Sequence, residues 1–305
     1  MLVKNQGNQP DHREEMHQIE KEMFLFESPR NNRMLAALPA EDYKRLRSYF
    51  EHVRMSPGQF IHEAATPVTY VYFPTSAIVA PLYEVKNGAS VQLAIVGSEG
   101  FTGISSLLGG GSSPGIVVQA PGYGYRIKEK ILKMEFERQG FLQQLALHFV
   151  QALMTQMAQN AVCNRHHNVE KQLCRFLLMS LDRSSGRELQ MTHEQIAIML
   201  GVRRESVTQA ALKLQTAGAI RYSRGHITVF EREELKKSVC ECYSVVNKEY
   251  ERLLWTRRTH RSAVHGPWGG TKGRQRERTM VRKLWRAPDC SAGNQISPSP
   301  DFGSS

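Results

Sequence analysis

Residues 191–230 read MTHEQIAIML GVRRESVTQA ALKLQTAGAI RYSRGHITVF, and the order of polar, small and apolar residues in this stretch decides the fold. Thr192 followed three residues later by Gln195 is a capping box, which satisfies free amides from both sides and so starts a helix. Ile196, Ile198, Met199 and Leu200 supply apolar contacts for that helix, and Ala197 is small where a second helix must come close. Gly201 suits a sharp turn, because a residue without Cβ takes a positive φ at little cost. A second helix then runs from about Arg203 to Gln215, with Val207, Ala210, Ala211 and Leu214 facing inward. No Ser, Thr, Asp or Asn precedes it; Val202 and Arg203 stand at its cap.

Arg203, Arg204, Glu205, Thr208 and Gln209 remain on the outer, leading face of the second helix. Arg can donate twice to guanine, Glu can accept from cytosine and Gln can pair with adenine in a major groove. Ala219–Tyr222 and His226–Phe230 alternate around Ser223-Arg224-Gly225, a hairpin with a basic tip. Arg221 and Arg224 on such a wing would rest on phosphate and add sequence-independent, salt-sensitive affinity. Thr192, at the mouth of the first helix, completes the candidate DNA contacts. Ordinary helical hairpins also carry glycine turns and solvated Arg-Glu faces. The cap, small residue, turn glycine, polar face and basic wing in this order point instead to a winged helix-turn-helix.

Upstream, Val169–Leu181 carries Leu173, Phe176, Leu177 and Leu181 on one helical face, and the turn Arg183–Gly186 ends it. From about Met134 to Asn164 the pattern is one long helix, with Leu142, Leu145, Phe149, Leu153 and Met157 along one side. Such a stripe either packs on the chain's own domain or forms a coiled-coil-like seam with a second copy, and both are expected of it. Between Val53 and Ile127 short apolar runs alternate with Gly, Pro, Asn and Ser clusters, including Lys86-Asn87-Gly88 and Gly109-Gly110-Gly111. They read as strands 59–62, 68–73, 78–83, 91–96, 116–119 and 123–127 of an antiparallel barrel or jelly roll. A short helical stretch begins at Arg33.

The formal net charge of +11 falls mostly in the Arg-rich, aliphatic-poor stretch after Trp255, so the pI says little about the folded part. No apolar run approaches the ~18–20 residues of a membrane span, and the first residues lack the apolar core of a signal peptide. A cytoplasmic protein is expected. Its cysteines, Cys163, Cys174, Cys240, Cys242 and Cys290, read as reduced thiols. Cys240-x-Cys242 lacks a second pair at zinc spacing, so no metal and no cofactor is expected. His62 is the single histidine of the strand region, too few for a metal-dependent barrel enzyme. No catalytic Ser/His/Asp spacing, phosphate-cradling loop or paired carboxylate motif is present, and an enzyme is not expected.

The order barrel, long helix, short helix, winged helix-turn-helix resembles the Crp/Fnr family of bacterial regulators from about Arg33 to Leu254. Gly201-Val202-Arg203-Arg204-Glu205-Ser206-Val207 resembles the family's recognition-helix motif, which implies that Arg204 and Glu205 read the operator and that Gln209 assists one turn later. The resemblance implies an α+β chain in five parts. Residues 1–28 form a disordered segment, 29–134 a cyclic-nucleotide-binding-like β-roll, 135–167 a dimerisation helix, 168–254 the winged helix-turn-helix domain and 255–305 a basic disordered tail. It further implies a homodimer on an inverted repeat of double-stranded DNA, with RNA polymerase as a candidate partner. Gly97, Glu99 and Gly100 resemble the family's Gly-Glu segment for a cyclic nucleotide, and Ser112-Ser113 stands where the family has an Arg-Ser pair. Without that Arg nothing obvious neutralises a cyclic phosphate, so cyclic AMP is not the expected effector. The iron–sulfur form of the family would need N-terminal cysteines, and the first 162 residues hold none.

Overall fold

The computed structural model describes residues 28–255 apart from 85, 87–89, 111–112 and 185. The expected segment before Ser28, the tail after Trp255, Ser112 and the turn residues Asn87, Gly88 and Gly111 lie outside the described residues.

Two short helices, α1 (Arg33–Ala37) and α2 (Ala40–Leu46), open the fold. Asn32 caps α1 with its Oδ1 and, fully buried, donates from Nδ2 to the carbonyls of Pro74 and Gly100 at 2.9 and 2.8 Å. These bonds satisfy both protons of the amide nitrogen and fasten the helices to the strands that follow.

Period-two alternation between residues 51 and 128 produces β1 (Glu51–Met55), β2 (Phe60–His62), β3 (Tyr70–Pro74), β4 (Ile78–Glu84) and β5 (Ser90–Gln92), then a single helical turn, α3 (Ile104–Leu107), then β6 (Gly115–Ala120) and β7 (Gly122–Lys128). They pair antiparallel as β1-β7-β3 and β2-β6-β4-β5, the β-roll expected from the sequence. Val71 pairs with Ile127 and Ala80 with Val117, and Val71, Phe73, Ile78, Val79, Val118 and Ile127 are buried between the sheets. β1 was not among the expected strands, because EHVRM has only two aliphatic residues and is held by its ladder to β7. The run 91–96 is strand only to Gln92, with Val96 making one bridge to Val79.

The expected single helix from Met134 is two, α4 (Glu129–Glu137) and α5 (Phe141–His166). Gln139 at φ 58° breaks the helical path between them. On α5 the apolar stripe is spent within this one chain. Leu142, Leu145, Phe149 and Leu153 are buried, and the Phe149 ring lies 5.2 Å from Phe101 of the roll and 6.4 Å from Tyr250 near the end of the fold. Gly100 is required beneath that ring, since a Cβ there would sit 2.2 Å from Phe149. Met157 is half-buried beside the same core. Leu142, Leu145, Phe149 and Leu153 thus make the packing on their own chain that was expected of the stripe and offer a second copy no surface, while Met157 stays half-exposed; the large apolar residues that α5 leaves exposed are Leu147, Met154 and Val162.

After α6 (Val169–Leu181), which keeps its expected bounds, come β8 (Glu188–Gln190), α7 (His193–Leu200), α8 (Arg204–Thr216), β9 (Ile220–Ser223), β10 (His226–Val229), α9 (Arg232–Ser238) and α10 (Glu241–Tyr250). β8, β10 and β9 form a third antiparallel sheet in that order. Among the described residues no helix is long and apolar enough to cross a membrane.

Candidate nucleic-acid interface

The capping box forms as the sequence requires. Thr192 Oγ1 accepts from the Gln195 amide at 3.2 Å, and Gln195 Oε1 accepts from the Thr192 amide at 2.8 Å. Gly201 follows in the left-handed region, φ 65° and ψ 35°, and ends α7. Arg203 is extended, no side chain caps α8, and the first helical residue is Arg204. The leading amides of α8 therefore face outward without a side-chain acceptor, a polarity that favours an anion such as phosphate. Val207, Ala210, Ala211 and Leu214 are buried, as the inward pattern demands.

Arg203, Arg204, Glu205 and Gln209 are all exposed on the first turns of α8. Arg204 is two-thirds exposed and its Nε stands 4.0 Å from Glu194 Oε2, an ion pair at the edge of contact. In water such a pair contributes little and leaves the guanidinium available. The side chains of Arg203, Glu205 and Gln209 have no partner among the described residues. Two of the sequence candidates are otherwise engaged. Thr208 Oγ1 bonds His193 Nδ1 at 3.0 Å and donates to the Arg204 carbonyl at 3.1 Å. The Thr192 hydroxyl is consumed by the cap, where it also lies 3.1 Å from Gln195 Oε1. Both threonines belong to the scaffold that positions the arginines, because short hydroxyl side chains bond nearby backbone readily.

The wing pairs Ile227 with Tyr222 and turns through Arg224 and Gly225, both at positive φ, 48° and 82°. Two such residues match the twist of a tight hairpin. Arg221 and Arg224 are exposed on it. Gln215 Oε1 accepts from the Tyr222 amide at 3.0 Å, and the Tyr222 ring stacks on His193 at 3.8 Å, so the wing is tied to both helices. Burial, and then the Arg204 charge, push the His193 imidazole below its ordinary value, which keeps it neutral in this stack.

Of the described residues read as an effector pocket, Glu99 and Ser113 line different cavities, and Gly97 and Gly100 line neither of these. Glu99 is buried under Arg183, whose Nε donates to Glu99 Oε1 at 2.7 Å. Arg183 also donates to the Met179 carbonyl at 3.0 Å and to Gln156 Oε1 at 3.2 Å, and Tyr250 donates to the same Gln156 oxygen at 3.0 Å. Gly97 packs against Arg183, and Gly100 against Phe149. Ser113 stands elsewhere, on an apolar cavity of about 240 Å³ lined by Pro81, Val96, Phe101, Leu153 and Met157 among others. No charged side chain lines it among the described residues. Arg183, read from sequence as part of a turn, thus joins the β-roll to the helical half; no local pattern could have signalled a partner 84 positions away.

Residues 171–238 match the family model of the Crp-like helix-turn-helix domain, which is the class of DNA-binding unit that this surface defines. The fold extends the likeness to about two thirds of this chain and nearly the whole length of two solved structures. A protein described as a transcriptional regulator of the Crp/Fnr family from Eubacterium rectale ATCC 33656 is 19% identical, with 67% of this chain and 96% of that chain covered and a TM-score of 0.50. FixK2 from Bradyrhizobium japonicum is 16% identical, with 63% and 98% covered and a TM-score of 0.52. No curated protein matches the sequence. Residues 171–238 thus form a Crp-like helix-turn-helix domain, and the fold of the described residues is the one seen in Crp/Fnr-type regulators.

Proposed function

We propose that this regulator binds an inverted-repeat operator as a homodimer, with the leading turn of α8 in the major groove of each half-site. The observation that carries the reading is the exposure of Arg203, Arg204, Glu205 and Gln209 beside a wing bearing Arg221 and Arg224. Arg204 and Glu205 read base edges, Gln209 assists one turn later, and the wing arginines hold phosphate. In this reading residues 29–134 are the sensor, 135–167 the dimerisation helix and 168–254 the DNA reader. Dimerisation falls to the face of α5 that its own chain does not cover. Leu147 and Met154 are seven residues apart, and Ala158 and Ala161 continue the row, all at least partly exposed. Such a protein works in the cytoplasm beside DNA and RNA polymerase, as a regulator rather than an enzyme. Its effector is not cyclic AMP, since the apolar cavity beside Ser113 offers a cyclic phosphate no positive charge.

Selection from a pool of randomised duplexes tests the reading. Enrichment of an inverted repeat with half-sites about one helical turn apart is expected. Recovery of single half-sites, or no enrichment over the starting pool, would refute it.

A further inference from the structure

The end of α5 and the start of α10 bring three thiols and one imidazole to one buried point. Cys163 lies in the last turn of α5, His167 caps that helix, and Cys240 and Cys242 bracket the first residue of α10. Their ligand atoms all lie within 4.8 Å of one another. Cys163 Sγ is 3.6 Å from Cys240 Sγ, and Cys242 Sγ is 3.6 Å from His167 Nδ1. The three cysteines are buried, and the His167 side chain is 12% exposed.

We propose that Cys163, His167, Cys240 and Cys242 form a closed, four-ligand zinc(II) site. Size is the first argument. Two of the ligand pairs stand 3.6 Å apart, the edge of a tetrahedron whose centre is about 2.2 Å from each corner, and the 4.8 Å upper bound on the rest corresponds to about 2.9 Å, so small inward shifts reach the ~2.3 Å of Zn–S and ~2.0–2.1 Å of Zn–N. That volume suits one ion and is too small for an iron–sulfur cluster. Donor chemistry is the second, because soft thiolates with imidazole select zinc over hard cations. Support around the ligands is the third. His167 Nε2 lies 3.4 Å from Glu241 Oε1, so the carboxylate can hold that N–H and leave Nδ1 for the metal. Gln172 Nε2 donates to the His167 carbonyl at 2.8 Å and fixes the turn that carries the ligand. The buried Arg175 acts electrostatically on Cys163 and Cys242, offsetting the excess negative charge of three thiolates around a divalent ion.

A disulfide accounts for less. The Cys163–Cys240 separation is 3.6 Å rather than a bond of ~2.05 Å, and a disulfide would leave Cys242 and His167 aimed at nothing. Sequence spacing gave no sign of this cluster because the second pair, Cys163-x-x-x-His167, spans the end of α5 and lies far in sequence from Cys240. The ion would pin the end of α5 to α10 across the turn that leads into the DNA-reading half, and its binding would stabilise the fold directly.

Full-length protein, purified under reducing conditions without chelator, tests the proposal by elemental analysis. About one zinc per chain is expected, and Cys174→Ser, which alters a buried thiol outside the set, should retain it. Cys240→Ser and Cys242→Ser should each retain less than about a tenth. Since those variants could misfold, wild-type protein stripped by a strong chelator provides the second measurement. Cobalt(II) should then give the absorption of a tetrahedral thiolate site, and zinc should restore the melting temperature lost on stripping. Zinc-free folded protein that gains neither cobalt bands nor thermal stability overturns the proposal, as does full zinc content in the Cys240→Ser/Cys242→Ser double variant.

Discussion

Arg183→Met removes a charge from the most enclosed ion pair among the described residues while keeping most of the side-chain volume. The Arg183 and Glu99 side chains are 4% and 6% exposed and bonded at 2.7 Å. With the guanidinium gone, Glu99 keeps the Gly97 amide at 3.1 Å and the more distant charge of Arg33, and the Met179 carbonyl loses the Arg183 donor. Breaking a buried pair from one side costs about 3–5 kcal/mol, mostly because the remaining charge stays buried. A cavity of about 230 Å³ adjoins the pair, lined also by Arg33, Asp182 and Asn247. Water entering there screens the orphaned carboxylate, so the lower end, ~3 kcal/mol, is the better figure. For a folded unit of this size that is a melting-temperature loss of roughly 6–12 °C. Urea unfolding followed by circular dichroism, at one fixed protein concentration, measures it. Arg183→Met/Glu99→Leu should recover much of the loss, with a coupling of up to about 3 kcal/mol. A single-variant loss below ~1 kcal/mol, or strictly additive losses in the double variant, would refute the assignment of this pair as the joint between the two halves.

Gly201→Ala meets open space but inherits φ 65°, so it should cost about 1 kcal/mol through backbone strain alone; an unchanged unfolding midpoint would count against that turn. His193 binds its proton less readily folded than at its ordinary value of 6.5, so its contribution is complete above about pH 6.5 and drains away as the pH falls below it. His193→Gln should flatten that part of the stability–pH curve, and an unchanged slope in pH-dependent unfolding would mean that another group titrates there. Isothermal titration with cyclic AMP should show no saturable heat, whereas micromolar affinity, about −8 kcal/mol, would mean that the apolar cavity is not the relevant site.

Local features were legible in the sequence and distant ones were not. Thr192, Gln195 and Gly201 act on their own backbone, so capping box and turn could be read from spacing. Alternation and turn residues likewise placed six of the roll's strands, though β1 depends on a partner about 70 residues away. Periodicity showed that one face of α5 is apolar but not what covers it: Leu142, Leu145, Phe149 and Leu153 face the chain's own core, while Leu147 and Met154 stay outside. Thr192 and Thr208 have hydroxyls as suited to a cap or a carbonyl as to a base edge, and the fold uses them for the former. Glu99 with Arg183, and Cys163 and His167 with Cys240 and Cys242, are joined only by the fold, which no local pattern encodes.

The central claim is that the first turn of α8 reads bases while the wing holds phosphate, and one comparison tests it most directly. Binding of wild-type, Arg204→Ala and Arg224→Ala protein is measured on the selected operator and on each single-base substitution of it, at several salt concentrations. Arg204→Ala should lose about 1–3 kcal/mol and discrimination at one position of each half-site; Arg224→Ala should weaken all sequences alike and reduce the salt slope by about 1. Equal losses on every sequence from both variants would contradict the account.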